Sequence, residues 1–160
     1  AIQAAKRERA KKYGLDYDKF SDTQLSDSTI YCIFPNVQIG CHPEAVFIHR
    51  FLPHPTDPEQ FTYDNMIAFR HLDAPGYRAP AWMGLGDEVD TTGMIRPDVT
   101  RVPLGVPPEL GEVLDQDSEL LPIVQKGARS RGFRGPLWSY QEGRLRHFHT
   151  ELDRYVAGEK

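Results

Sequence analysis

Asp117 is the side chain with the clearest chemical problem. Leu110, Val113, Leu114, Leu121, Val124 and Ala128 recur at the i, i+3, i+4, i+7 spacing of one helical face. Asp117 falls inside that face, between Leu114 and Leu121, while Asp115, Gln116 and Glu119 turn elsewhere. A carboxylate on a buried stripe needs hydrogen-bond donors, a proton or a cation to offset its lost hydration. Two kinds of chemistry follow, a hydrogen-bonded structural Asp or a metal ligand, and the spacing by itself favours the structural one. The histidines do not complete a site around it. His42 and His54 read as turn residues, His49 and His71 as strand residues. His147 and His149 point roughly 200° apart on a helix. His149, beside Phe148, reads as a satisfied core histidine. Cys32 and Cys41 form neither CxxC nor another metal-ligand spacing, and read as two reduced core thiols, with a disulfide between neighbouring strands as the alternative. No Ser/His/Asp or Cys/His triad assembles. The GLGDEV stretch at Gly84 and Gly86 lacks the third glycine and the preceding strand of a phosphate loop.

The elements that must position these residues alternate in kind along the chain. Residues 1–13 predict a short charged helix, with Gly14 as its stop. Residues 16–28 are polar and loop-like. TIYCIF (29–34) is a strand rich in β-branched and aromatic residues, interrupted by Pro35-Asn36 as an edge or bulge, and 37–41 continues extended. After a His42-Pro43-Glu44 turn, AVFIHRFL (45–52) is the next strand. A second turn at 53–59 leads to a third strand, 61–71. Three successive strands with tight links predict an antiparallel meander. Residues 72–108 carry prolines and glycines with no surviving period, which suits a lid or a disordered excursion. The Asp117 helix then spans 110–131, with a kink expected ahead of Pro122. A turn region at 130–137 precedes Ser139-Tyr140-Gln141-Glu142, a capping box that starts a last helix with Leu145, Phe148, Leu152, Tyr155 and Val156 on one face, ending near Gly158. Helices around a meander give an α+β domain.

The 160 residues suffice for one domain, and 39% hydrophobic with 26% charged residues suits a globular protein. A net charge of -4 supplies no basic field for nucleic acid, and KRERAKK (6–12) and RSRGFR (129–134) read as solvated faces. Two reduced thiols fit a cytoplasmic setting; no apolar run approaches the roughly 18 residues of a membrane span, and no secretory signal is visible. The chain opens at Ala1 without an initiator Met, inside what reads as helix, which predicts a segment cut from something longer.

Four stretches together carry a resemblance: FPNVQI (34–39), HRFLPHPTDPE (49–59), DSELLPIVQKGARSRGF (117–133) and SYQEGRLRHFHTEL (139–152). They resemble the C-terminal part of the catalytic domain of Rieske-type ring-hydroxylating oxygenase large (alpha) subunits. In that family a "D, seven residues, Q, any, G" element precedes an SRG(F/Y) turn, and a last helix carries a (F/Y)H pair. Asp117, Gln125, Gly127, Ser130, Arg131, Gly132, Phe133, Glu142, Phe148 and His149 match in order. The resemblance implies a helix-grip, SRPBCC-like fold, an antiparallel sheet wrapped around a long helix. It also implies mononuclear Fe(II) held by two histidines and one aspartate, with Asp117 at the aspartate position, which turns the preference toward the metal-ligand role. It further implies a substrate pocket to which Asn36, Leu114 and Leu121 contribute, with Gln125 and Arg131 in structural support; for Asn36 the alternative is an Asn closing a turn. The family's iron histidines form an HxxxxH pair on an earlier helix, and no helix here carries one; the CxH…CxxH signature of the Rieske domain is absent too. Residues 1–160 are therefore expected to be the C-terminal portion of the catalytic domain, without the Rieske domain and the first part of the catalytic one, and inactive alone. In the intact enzyme the implied activity is hydroxylation or dihydroxylation of an aromatic or other apolar substrate with O2. Its electrons come from NAD(P)H through a reductase, with or without a ferredoxin, and a Rieske 2Fe-2S cluster, in a homotrimer or an α3β3 assembly. The rival expectation is a non-catalytic helix-grip module binding an apolar ligand or lipid, with Asp117 paired or protonated and residues 72–108 as gate.

Overall fold

The computed structural model describes residues 1–80, 83–86, 89–103, 106 and 112–160. They form two compact units, Ala1–Thr100 and Arg101–Lys160.

The first unit opens with α1 (Ile2–Lys12), a run of alanine, lysine, arginine and glutamate, all good helix formers. Arg9, Lys11 and Lys12 fill its last turn, where they complement the negative end of the helix dipole. Gly14 stops it at φ +70°, a conformation that costs a residue with a Cβ. The amides of Gly14 and Leu15 turn back to the carbonyls of Lys11 and Ala10 at 3.2 and 2.9 Å, a Schellman closure. Leu15 thereby meets the core cluster of Ala10, Tyr17 and Leu25, which Phe20 also joins. Leu25 lies on α2 (Asp22–Ser26), a helix within the stretch expected to be loop. Five residues are too few to show a period, yet a capping box holds them. The Ser21 Oγ accepts from the Gln24 amide at 3.2 Å, and the Gln24 side chain accepts from the Ser21 amide at 2.9 Å. Arg7 ties α1 to α2 through the Asp22 carboxylate at 2.7 Å and the Phe20 carbonyl at 3.0 Å.

Four strands follow, β1 (Thr29–Ile33), β2 (Val37–Cys41), β3 (Ala45–Pro53) and β4 (Phe61–Phe69), in the order β1-β2-β3-β4, each antiparallel to the next. The expected count of three strands is corrected. Pro35-Asn36 does not merely interrupt a strand but reverses the chain, with a cis Phe34-Pro35 peptide in the turn. The meander itself is as expected. Cross-strand pairs fix the register of β3 on β4. Arg50 meets Asp64 at 2.6 Å, and the Phe51 and Tyr63 rings stack in parallel at 4.9 Å. Cys32 is exposed and pairs with Gln38, while Cys41 is partly buried and pairs with Thr29. Both thiols are free, as expected, but Cys32 is not a core residue.

Beyond β4 the described part of 72–106 carries no α-helix or strand, yet it begins neither as a lid nor as a disordered excursion. Tyr77 and Met83 are buried, at 7% and 1% exposure. Tyr77 stacks on Phe69 at 5.5 Å and meets the edge of Tyr13 at 5.0 Å. The Tyr13 hydroxyl and the Arg9 guanidinium donate to the carbonyls of Gly76 and Arg78.

The second unit holds α3 (Glu112–Ala128), with Pro122 inside it, and α4 (Gly143–Val156). The expected capping box precedes α4 as a 3-10 turn, Tyr140–Glu142, in which the Glu142 carboxylate accepts from the Ser139 amide at 2.5 Å. Gly158, at φ +73°, closes α4. The α4 face expected to be core is half-buried at Phe148 and Leu152 and exposed at Leu145, Tyr155 and Val156. Leu110 lies outside the described residues.

Candidate metal centre

The helix expected to present Asp117 forms where the spacing places it, but its apolar face is not buried. Of that face, Leu121 and Val124 are 37 and 57% exposed, and Ala128 is exposed as well. Asp117 is exposed with them, so the premise that its carboxylate lies on a buried stripe is overturned. Helical periodicity fixes which side chains share a face, not whether anything covers that face. A carboxylate in water keeps its hydration and demands neither donor nor cation. Leu114 and Gln125 are partly buried on the same helix, and the Ser118 hydroxyl bonds back to the Leu114 carbonyl at 2.8 Å. Pro122 has no N–H to offer the Ser118 carbonyl one turn back. Arg131 is exposed in the turn that follows α3. Asn36 belongs to the other unit, in the β1–β2 turn, where its carbonyl accepts from the Phe51 amide at 2.9 Å. The turn-closing role of Asn36 is thus the one with a visible contact.

Each histidine has a local setting. His49 Nδ1 and the Tyr63 hydroxyl share a 2.7 Å hydrogen bond. His54 Nδ1 accepts the Asp57 amide at 3.0 Å, organising the β3–β4 turn. His49 and His54 have the HxxxxH offset, but on no helix: His49 sits within β3 and His54 in the turn beyond Pro53. His42 lies 3.3 Å from the Ser28 hydroxyl and edge-on to Phe47. Burial, and then the Lys6 charge, hold its imidazole below its ordinary value against the pull of Glu44. His149 is exposed, its ring 5.0 Å from Trp138 and 5.6 Å from Phe148, so the expected core histidine is a surface one.

Iron of the kind the resemblance implies needs two imidazoles and a carboxylate on one face of the metal. Among the described residues no group of three His, Cys, Asp or Glu side chains converges to hold a metal. The described residues therefore do not fit a mononuclear iron on their own, and Asp117 is a single candidate donor.

A polar cluster that the sequence did not reveal lies in the first unit. Glu44 is 3% exposed and pairs with Lys6 at 3.3 Å. Tyr17 and Tyr77, at 4 and 7% exposure, line a small cavity with it, together with Lys6, Arg9 and Tyr13. Burial, reinforced by the Glu44 charge, pushes the Tyr17 phenol up to about 12. Burial also raises Tyr77, against the opposing pull of Arg9 and Arg70. These residues are scattered between positions 6 and 77 with no common spacing, so only the fold brings them together.

Among the described residues no helix is long and apolar enough to cross a membrane. No curated protein and no solved structure matches the chain. A family model described as "Ring hydroxylating alpha subunit (catalytic domain)" matches residues 3–158, nearly the whole chain. It spans the meander, the Asp117 motif and the last helix alike, and so the chain belongs to the catalytic-domain family of ring-hydroxylating oxygenase alpha subunits.

Proposed function

We propose that this chain contributes the carboxylate arm of a mononuclear Fe(II) centre in the terminal oxygenase component of a Rieske non-haem iron enzyme. The family match over residues 3–158 carries the reading, because it takes in the ordered set Asp117, Gln125, Gly127, Ser130 and Arg131 that no other feature of the chain accounts for. On this reading residues 1–160 are the C-terminal portion of a helix-grip catalytic domain. The two imidazole ligands and the Rieske 2Fe-2S cluster come from polypeptide outside these residues. Bound iron would supply O2 activation, and an aromatic or other apolar substrate would be hydroxylated or dihydroxylated, with electrons from NAD(P)H through a reductase. Leu114 and Leu121 are proposed to border the substrate, Gln125 and Arg131 to support the fold, and the intact enzyme to assemble as a homotrimer or α3β3 in the cytoplasm.

The test is iron retention in the full-length protein. Asp117→Ala is expected to lose mononuclear iron while the visible absorbance of the 2Fe-2S cluster persists. Asp117→Ala protein that keeps the full iron content would reject the ligand role.

A further inference from the structure

The Tyr77 hydroxyl is buried and has no hydrogen-bond partner among the described residues. Leaving such a group unpaired is costly, and in folded proteins a buried hydroxyl nearly always finds a donor or acceptor. Tyr77 also lines a cavity of about 10 Å³, close to the space one water molecule needs. The lining is mixed: Ala10 and Leu15 border the space together with the buried Glu44, its partner Lys6, and Tyr17. An apolar cavity of this size would stay dry, whereas one offering two to four polar partners holds water.

We propose that this cavity is a binding site for one ordered water molecule, which accepts or donates a hydrogen bond at the Tyr77 hydroxyl and bridges it to the Glu44–Lys6 pair and Tyr17. The water would be a structural ligand shared by three pieces of chain. Lys6, Arg9 and Tyr13 come from α1 and its C-terminal end, Glu44 from the β2–β3 turn, and Tyr77 from the stem of the irregular segment. Both phenols stay protonated across the physiological range, because burial disfavours the phenolate and pushes their pKa values up. Each therefore keeps one O–H to donate and lone pairs to accept, the capacity a bridging water uses. Direct bonds already fasten the same stem from outside, at Tyr13 to Gly76 and Arg9 to Arg78. The water completes the clasp from within.

The test compares the full-length protein with its Tyr77→Phe variant. Oxygen-17 relaxation dispersion counts waters that stay bound longer than the protein tumbles. Tyr77→Phe is expected to lose one such water and to lower the thermal midpoint, as the loss of a hydrogen bond does. An unchanged water count, or a raised midpoint as expected on deleting an orphaned hydroxyl, overturns the proposal. If the variant does not fold, a high-resolution crystal structure of the unaltered protein decides. Density for a water within hydrogen-bond distance of the Tyr77 hydroxyl supports the site; a dry cavity, or a cation in it, sinks it.

Discussion

Leu25→Ala probes whether α2 secures the N-terminal helix. Leu25 is fully buried, at 0% exposure, so its truncation forfeits the whole transfer energy of the lost side-chain atoms. A cavity cost is added, because its neighbours cannot close in freely. Tyr17 and Phe20 hold each other edge-to-face at 5.3 Å, and Ala10 is fixed in α1. Leu-to-Ala changes at such sites cost roughly 2–5 kcal/mol, and the restrained rings place this one near ~3 kcal/mol. For a chain of this length that is a fall of about 6–12 °C in thermal midpoint. The assay is urea denaturation followed by far-ultraviolet circular dichroism, with the exposed Glu8→Ala as control. The midpoint should drop while the denaturant slope stays constant. A loss under about 0.5 kcal/mol, the range of surface changes, would refute the argument and show α2 to be a peripheral turn.

Two further outcomes are expected. His42 in the folded protein holds its proton less well than in the unfolded chain, since burial and then Lys6 lower its affinity. The unfolded state therefore binds more protons as pH falls below about 6.5, and the stability contributed by neutral His42 is complete above that pH and drains away beneath it. Urea midpoints at pH 7.5 and pH 5 should show this dependence weakened in His42→Gln. Pro122→Ala should restore an N–H facing the Ser118 carbonyl and stabilise the second unit by about 1–3 kcal/mol, read as increased helicity and a raised midpoint.

Strands were the most legible elements. β-branched and aromatic runs placed β1, β3 and β4 within two residues of their ends, because extended chain shows its preference over short windows. The reversal at Pro35-Asn36 was hidden because a turn of so few residues looks like a break in one strand. α2 left only its capping box, Ser21 and Gln24, as a trace. Tyr77 and Met83 lie among prolines and glycines with no periodic partners, so their burial has no local signature. For the candidate site, the position of Asp117 on a helix was readable, and the motif around it led to the family. Its surroundings were not readable, since exposure depends on what packs over a face. The Glu44 cluster, assembled from three distant pieces of chain, could be found only in three dimensions.

The order of the meander also bears on how the chain reaches this structure. Every strand pairs only with its neighbours in sequence, so each hairpin closes over a short stretch and asks little of the chain's freedom. By contrast, the Tyr13–Gly76 and Arg9–Arg78 bonds join residues 63 and 69 positions apart. During synthesis the sheet can zip up hairpin by hairpin as it leaves the ribosome, while the bonds of α1 to the irregular stem wait for residues 76–78 to arrive.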